Sequence, residues 1–340
     1  MRAEILPFLV CPACRGGLDI DAEPPPGEHA MTGTLTCRGC GAAYPVVGGV
    51  PRLNVAMDGL ERVAQTFGFE WKAHHAGALE DDTLFGLTLD EDWAYFRRAT
   101  GLADEDLGGM IVLDAGCGSG RPTAQIAQHG AATVIGVDFN DAVDEAFAAT
   151  AALPNVHIVQ ANVFALPFEH ATFDLVWSNG VIHHTPDAEG AHAALSELVK
   201  PGGLLYVWVY AKRFNPFRFT KDVLDALRVT RLPEPALLRV AKAFSYASIP
   251  LLKAYQLVRQ LPGLRPRTAW GTRTVRPRTV RELQLTWFDA LSPEYDSRHS
   301  ESEVIEWFRR RGFGQIQAIE EPKVGVRGIR LLDAAAETAS

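Results

Sequence analysis

The stretch MIVLDAGCGSG, residues 110–120, decides the fold. Ile111, Val112 and Leu113 form a short apolar run of the kind that makes a buried strand. The run leads into Asp114 and then three alternating glycines, Gly116, Gly118 and Gly120. Glycine has no Cβ and tolerates positive φ, so such a turn brings main-chain N–H groups up against a ligand. A dinucleotide-binding turn has G-x-G-x-x-G spacing before a helix. Here the sixth position is Arg121, and an acid precedes the first glycine by two residues.

Downstream, strand and helix signals alternate, the pattern of a parallel sheet with crossover helices. A helix is expected over Pro122–Gln128, with Pro122 suited to a first turn. Thr133–Val137 reads as a second strand ending in Asp138, 22 residues after Gly116. A carboxylate there can accept both hydroxyls of a ribose. Third, fourth and fifth strands follow at Val156–Gln160, Phe173–Trp177 and Leu204–Tyr210, with a helix from Ala188 to Val199.

The D-x-G-x-G-x-G turn resembles motif I of the class I S-adenosylmethionine methyltransferases. So do Leu166-Pro167-Phe168, the F-D-x-V strand at Phe173, the H-H-x-P-D loop from His183 and the K-P-G-G turn at Lys200. These motifs cover about 100 residues in the family's order. The resemblance implies an α/β fold, a Rossmann-like seven-stranded sheet ending in an antiparallel hairpin (Phe313–Glu320, Val324–Leu332). It also implies S-adenosyl-L-methionine as cofactor. By the same resemblance its contacts fall on Asp114, Gly116, Cys117, Gly118, Gly120, Asp138, Phe139, Asn162, Val163 and Asn179. Asn162 departs from the family's usual Asp, although an amide oxygen can also accept from an adenine amino group. Cys117 itself reads as a small packed residue.

Residues 1–53 form a separate signal. Cys11-Pro-Ala-Cys14 and Cys37-Arg-Gly-Cys40 are two C-x-x-C pairs, each followed by a glycine. Two such knuckles suit a closed, tetrahedral structural Zn2+ site; a redox pair would need one C-x-x-C in a βαβ setting. With so few apolar residues this unit depends on metal to fold, and Glu23–Gly27 reads as a polar loop tip. The knuckles, Tyr44-Pro45 and Gly49-Val50-Pro51 resemble the zinc-ribbon family that includes activators of tRNA and protein methyltransferases.

The expected layout is a ribbon (1–53), a helical lid segment (54–108), the cofactor-binding core (109–211), a helical insertion (212–299), then the last helix and edge hairpin (300–340). Aromatics of the second part, Phe67, Phe69, Trp71 and Trp93, Tyr95, Phe96, read first as packing, with a lid over the cofactor as the alternative. His74 and His75 read as solvated. In the insertion, apolar stretches broken by Pro233, Pro235, Pro250 and Pro262 carry dense Arg and Lys. From Lys212 to Arg281 there are 16 Lys/Arg against Asp222, Asp225 and Glu234, a local +13 in a chain of net charge −8. That leaves −21 elsewhere, which argues against nonspecific nucleic-acid binding by the rest. A mixed apolar and cationic surface suits a small-molecule or amphiphilic anionic substrate, or an anionic membrane; it could also meet RNA phosphates. The bland alternative is a wet amphipathic cap. No apolar run reaches a membrane span of ~20 residues, no signal peptide is evident, and paired C-x-x-C motifs fit a reducing, cytoplasmic setting. The oligomeric state stays open.

Methyl transfer from a sulfonium needs two partners held in line, and a base only if the acceptor must lose a proton. Candidate bases are His183 and His184 after the fourth strand, Tyr210 after the fifth, and Tyr295 and His299 near the end of the insertion. The reading is therefore a methyltransferase acting at O, C or N of a small or lipid-like metabolite. Its rivals are an RNA methyltransferase that clamps RNA with ribbon and insertion, and a non-catalytic binding or activating module on the same fold. An NAD enzyme comes last, on glycine spacing.

Overall fold

The computed structural model describes residues 1–21, 24–55, 60–75, 83–85, 87–212, 216–260, 279–320 and 324–332. Most of the expected polar tip is included, from Pro24 on. The side chains of His74 and His75 and residues 261–278 of the basic block lie outside the described residues.

The ribbon is a four-stranded antiparallel sheet: β1 (Leu18–Ile20), β2 (Thr32–Cys37), β3 (Ala43–Val47) and β4 (Val50–Pro51), in that order. Two helices follow, α1 (Glu61–His75) and α2 (Leu89–Thr100). A full capping box at Thr88 and Glu91 starts α2, and Gly101 in the left-handed conformation ends it.

The core then alternates β5 (Ile111–Ala115), α3 (Arg121–Gln128), β6 (Thr133–Asp138), α4 (Val143–Thr150), β7 (Val156–Gln160), β8 (Phe173–Asn179), α5 (Ala188–Leu198) and β9 (Val199–Val209). The insertion supplies α6 (Pro216–Ala226), α7 (Glu234–Gln260) and α8 (Val280–Leu291). The chain closes with α9 (Glu301–Arg310), β10 (Phe313–Glu320) and β11 (Val324–Arg330). The second sheet has seven strands in the order β10-β11-β9-β8-β5-β6-β7. Strands β5 to β9 pair in parallel, while β11 runs antiparallel between β9 and β10. The order reverses between β5 and β8, and open α/β sheets bind ligands at the carboxyl ends of the strands there.

Two details differ from the expected elements. Strand β9 starts at Val199 and runs through the K-P-G-G segment, where Lys200 bonds both oxygens of Asp174 at 2.9 Å. Helix α7 continues through Pro250. An interior proline costs about 3 kcal/mol, and the packing of Leu237, Ala241, Phe244, Ile249 and Leu252 in the α7/α8 core offsets it. Among the described residues no helix is long and apolar enough to cross a membrane.

The ribbon has no core of its own. Met1, Ile5, Leu9, Leu18, Leu35 and Val46 pack in one continuous cluster with Val159, Phe168, Phe173 and Val176 of the large sheet. Polar contacts seal the joint. Val10 N donates to Pro167 O (2.9 Å), and Arg15 donates to Leu166 O (2.9 Å) and to Phe168 O. Arg52 pairs in parallel with Gln160, and Leu53 N donates to Gln160 O (2.8 Å). Arg2 is buried and donates to Ala151 O (2.7 Å) and Leu153 O (2.8 Å), just past the carboxyl end of α4. A cation is favoured at that end of a helix.

Substituting Arg2→Ala is expected to lower stability by about 2–3 kcal/mol, the usual loss for charge-assisted bonds left unmade. Denaturant unfolding, followed by fluorescence and by zinc release, should remain a single transition. Two separated transitions would show instead that ribbon and sheet fold independently.

Candidate functional site

The glycine turn sits at the carboxyl end of β5, on the switch point of the sheet. Gly116 has φ +86° and Gly118 φ +53°, values that favour glycine. A Cβ on Gly116 would lie 2.2 Å from Val181 Cγ2, and one on Gly118 would lie 2.7 Å from Trp71 Cε2. The loop after β8 and helix α1 therefore approach the bare backbone of the turn from two sides. Gly120 is the N-cap of α3.

Two acids hold the turn. Asp138, at the end of β6, accepts from Gly118 N through Oδ2 (2.8 Å). Its Oδ1 accepts from Phe139 N (2.7 Å) and Asn140 Nδ2 (2.8 Å). Loss of water raises the Asp138 carboxyl above its ordinary range, while those N–H donors pull it back. Asp114 is buried and accepts from Thr123 Oγ1 at 2.6 Å. Its burial pushes its pKa from 3.8 to about 7, opposed by the Thr123 bond and reinforced by the Asp138 charge. Among the described residues neither acid pairs with a cation.

The other expected cofactor residues are gathered unevenly. Asn179 ends β8 and accepts from Tyr95 OH (3.3 Å). Asn162 is buried, its Oδ1 accepting from Phe164 N (3.0 Å) in an Asx turn, with Val163 between them. Cys117 differs from the rest. Its side chain packs in the core with Val112, Val134 and Ile158, while its N–H and C=O are used inside the turn by Val137 O and Gly120 N.

The aromatics divide. Trp93, Tyr95 and Phe96 are buried against the sheet, as packing predicts. In F-G-F-E-W, Phe69 packs in the α7/α8 core, whereas Phe67 lies 5.0 Å from the His184 ring and Trp71 covers Gly118. Phe67 and Trp71 thus lie beside the turn and the loop after β8.

His183 and His184 are both buried. The His184 Nδ1 lies 2.9 Å from Tyr295 O, and a carbonyl only accepts, so the proton sits on Nδ1. The His183 ring packs 3.9 Å from Tyr210, whose hydroxyl donates to Asp289 of α8 (3.1 Å). Residues 295–299 form a strap over the ends of β8 and β9. Ser297 N donates to His183 O (3.0 Å), and His299 N donates to Tyr210 O (2.8 Å). Both His299 ring nitrogens are engaged, by Glu303 Oε1 (2.8 Å) and Ser297 Oγ (2.9 Å). Partial burial raises the Glu303 carboxyl, but Lys212, His299 and the Ser300 N–H outweigh it and hold the pKa at about 2. Tyr295 contributes to this arrangement through its carbonyl. Val181 and Asp289 were not singled out as site residues from the sequence. The available signal was the acid within the apolar run Trp287-Phe288-Asp289-Ala290-Leu291.

In the ribbon, the sulfurs of Cys11, Cys14, Cys37 and Cys40 all lie within 4.8 Å of one another. Cys11–Cys40 is 3.8 Å and Cys14–Cys37 is 3.4 Å. A tetrahedron with Zn–S bonds of about 2.3 Å has edges of about 3.8 Å, so the donor set fits structural zinc. Gly39 N (3.3 Å) and Cys40 N (3.5 Å) point at Cys37 Sγ, the kind of outer contact that steadies a ligating thiolate.

Comparison with known proteins agrees with both parts. Residues 113–207 match the family described as a methyltransferase domain, and residues 2–49 match that described as Trm112p-like protein. The chain thus carries a methyltransferase domain joined to a Trm112p-like one. It is 33% identical over 113 residues to a sterol 24-C-methyltransferase of Saccharomyces cerevisiae, covering 32% of this chain and 30% of that one. It is 36% identical over 129 residues to a trans-aconitate 2-methyltransferase of Deinococcus radiodurans, covering 36% of this chain and 48% of that one. The chain spans less than half the length of these relatives. Among solved structures, a magnesium protoporphyrin IX methyltransferase of Synechocystis superposes with TM-score 0.45 at 18% identity, covering 79% of this chain and 98% of that one.

The purified chain is expected to hold one zinc per molecule, measured by elemental analysis, and Cys37→Ser to lose it together with cooperative folding. The Asp114 carboxyl makes a separate expectation. Its folded pKa lies above its unfolded one, so the fold binds the extra proton and its contribution to stability falls as pH rises from about 4 to about 7. Asp114→Asn should lose less stability than the parent protein over that window. Parallel Tm–pH curves for the two would contradict the assignment.

Proposed function

We propose that this protein is an S-adenosylmethionine-dependent methyltransferase whose acceptor is a small-molecule or lipid-like metabolite. The observation that carries the cofactor reading is the Asp138–Gly118 bond at the switch point, with Val181 and Trp71 closing on the turn. Asp138, with the Asp114 carboxyl behind it, gives the site an acidic floor without an internal counter-cation among the described residues. That floor suits a ligand carrying an ammonium and a sulfonium. When bound, the cofactor supplies an electrophilic methyl group. Gly116 and Gly118 would carry its amino-acid end, Asp138 its ribose, and Asn162 with Val163 its adenine.

The residues of this chain would then bind and orient the acceptor. Phe67, Trp71, Val181 and His184 form an apolar and aromatic wall beside the turn. His184, oriented by its Nδ1 bond to Tyr295 O, would be the base that takes a proton from an acceptor hydroxyl or amine. Tyr210, held by Asp289, would orient the acceptor. The strap residues Ser297 and His299 would position His183, Tyr210 and the loop between them. Zinc, closed in by four thiolates, would be structural. The apolar wall favours a metabolite over RNA, and the sterol and trans-aconitate enzymes among the relatives support small-molecule acceptors.

The test begins with calorimetric titration of the zinc-loaded chain with S-adenosylmethionine. One site is expected, weakened at least about tenfold by Asp138→Ala, which removes a hydrogen-bonded charge worth 1.5–3 kcal/mol or roughly that factor. Incubation with methyl-tritiated cofactor and fractionated cell extract should then place label in the organic or small-molecule fraction. His184→Ala should lower turnover by about 10²–10⁴-fold with cofactor affinity unchanged. Label recovered in RNA would move the assignment to the RNA rival, and absence of cofactor binding would leave a non-catalytic module.

A further inference from the structure

Helix α6 carries an exposed apolar stripe. With about 100° between successive residues, Phe219, Val223 and Leu227 fall within an arc of roughly 80°. They are 59%, 44% and 67% exposed. Leu227 extends the helix by one more turn bond, its N–H donating to Val223 O (3.1 Å). Of the charged residues on this helix Lys221 faces protein, whereas Asp222 and Asp225 stay exposed. Lys221 is buried, bonds Asp225 at 2.8 Å and lies 3.7 Å from Asp296 of the strap. Asp222 pairs with Arg298 at 2.6 Å. Leu224 packs on the α7/α8 core. An amphipathic helix on a folded surface ordinarily turns its apolar stripe toward the core.

The turn that follows is fixed from beneath. Thr230 is buried, its hydroxyl donates to Asp225, and its carbonyl accepts from Arg62 of α1 (2.8 Å). Around this anchor Leu227, Arg228, Arg231 and Leu232 are all exposed. Arg239 and Lys242, on the first turns of α7, are exposed as well. None of these four cations makes an ion pair among the described residues, and the one acid between Ala226 and Lys242 is Glu234. In a chain of net charge −8 this is a local reversal of sign.

We infer that α6 and the 227–232 turn form a docking surface for an anionic lipid bilayer. The interfacial zone of such a bilayer answers both chemistries at once: acyl chains take Phe219, Val223, Leu227 and Leu232, while phosphates take the guanidinium and ammonium groups. Each alternative occupant leaves one half unanswered. Nucleic acid would satisfy the cations and leave the apolar stripe in water. A second copy would cover the stripe and set like charges against each other. The inference does not depend on the catalytic reading. It places the rim of the acceptor site, through the strap bonds of Lys221 and Arg298, against the membrane.

The test is sedimentation of the zinc-loaded full chain with phosphatidylcholine vesicles, with and without phosphatidylglycerol. Binding to the mixed vesicles, weakened by salt and much lower on pure phosphatidylcholine, is expected. V223S/L227S should reduce partitioning at least about tenfold, the value of losing two buried aliphatic side chains. R228Q/R231Q should reduce it by about fivefold per charge. All four positions are exposed, so thermal melts and cofactor titration should match the parent and report an intact fold. Equal binding to both vesicle types, no binding to either, or unchanged partitioning of V223S/L227S would overturn the inference. So would dimerisation, seen by light scattering, that V223S/L227S abolishes while vesicles fail to bind.

Discussion

The site is organised by a bond from Gly118 N–H to the Asp138 carboxylate, joining the ends of two neighbouring parallel strands. It forms only if β5 and β6 are in register, with Ala115 beside Val137, so that the turn and the acid finish at the same height. The register follows from strands buried on both faces, where slipping by one residue would misplace every side chain. Once the turn is held there, its bare backbone admits Val181 from one side and Trp71 from the other. The β8 loop, helix α1 and the glycine turn are thus positioned by a space in which no Cβ stands.

The same economy of parts governs the small N-terminal unit. A four-cysteine ribbon has too little apolar surface to fold on its own, and metal is the usual remedy. Here zinc coordination is joined by a second solution, in which Ile5, Leu9 and Leu35 complete a core that Phe168 and Phe173 begin. Arg2 and Arg15 reach across to carbonyls near the end of α4 and before β8, groups that would otherwise need water. Ribbon and sheet therefore share one hydrophobic interior.

What the sequence revealed and what it concealed divides along local and non-local lines. The glycine turn, Asp138, the strand alternation and the two C-x-x-C knuckles are short patterns whose chemistry is set by neighbours in the chain, and each was legible. The roles of His183 and His184 were not separable, because the difference lies in a carbonyl 111 residues away at Tyr295. F-G-F-E-W and W-A-Y-F look alike as aromatic clusters. Only the tertiary structure sends Trp71 to the turn and Trp93 to the core. Pro250 signals a helix break because propensity is local, while the partner helix α8 that overrides it lies some 30 residues on. The fusion of ribbon and sheet left no local mark at all, since it rests on contacts spanning about 150 residues.

The pairing of Arg52 and Leu53 beside Gln160 has one more consequence. Strand β7 is the last strand of the large sheet on that side, and all five of its residues, Val156 to Gln160, are buried. An uncovered strand of this kind presents unpaired amides and carbonyls to any other extended chain, the usual starting point for aggregation. By lying along it, the ribbon acts as a built-in selvedge. Loss of zinc would then threaten the solubility of the whole chain as well as the order of its first fifty residues.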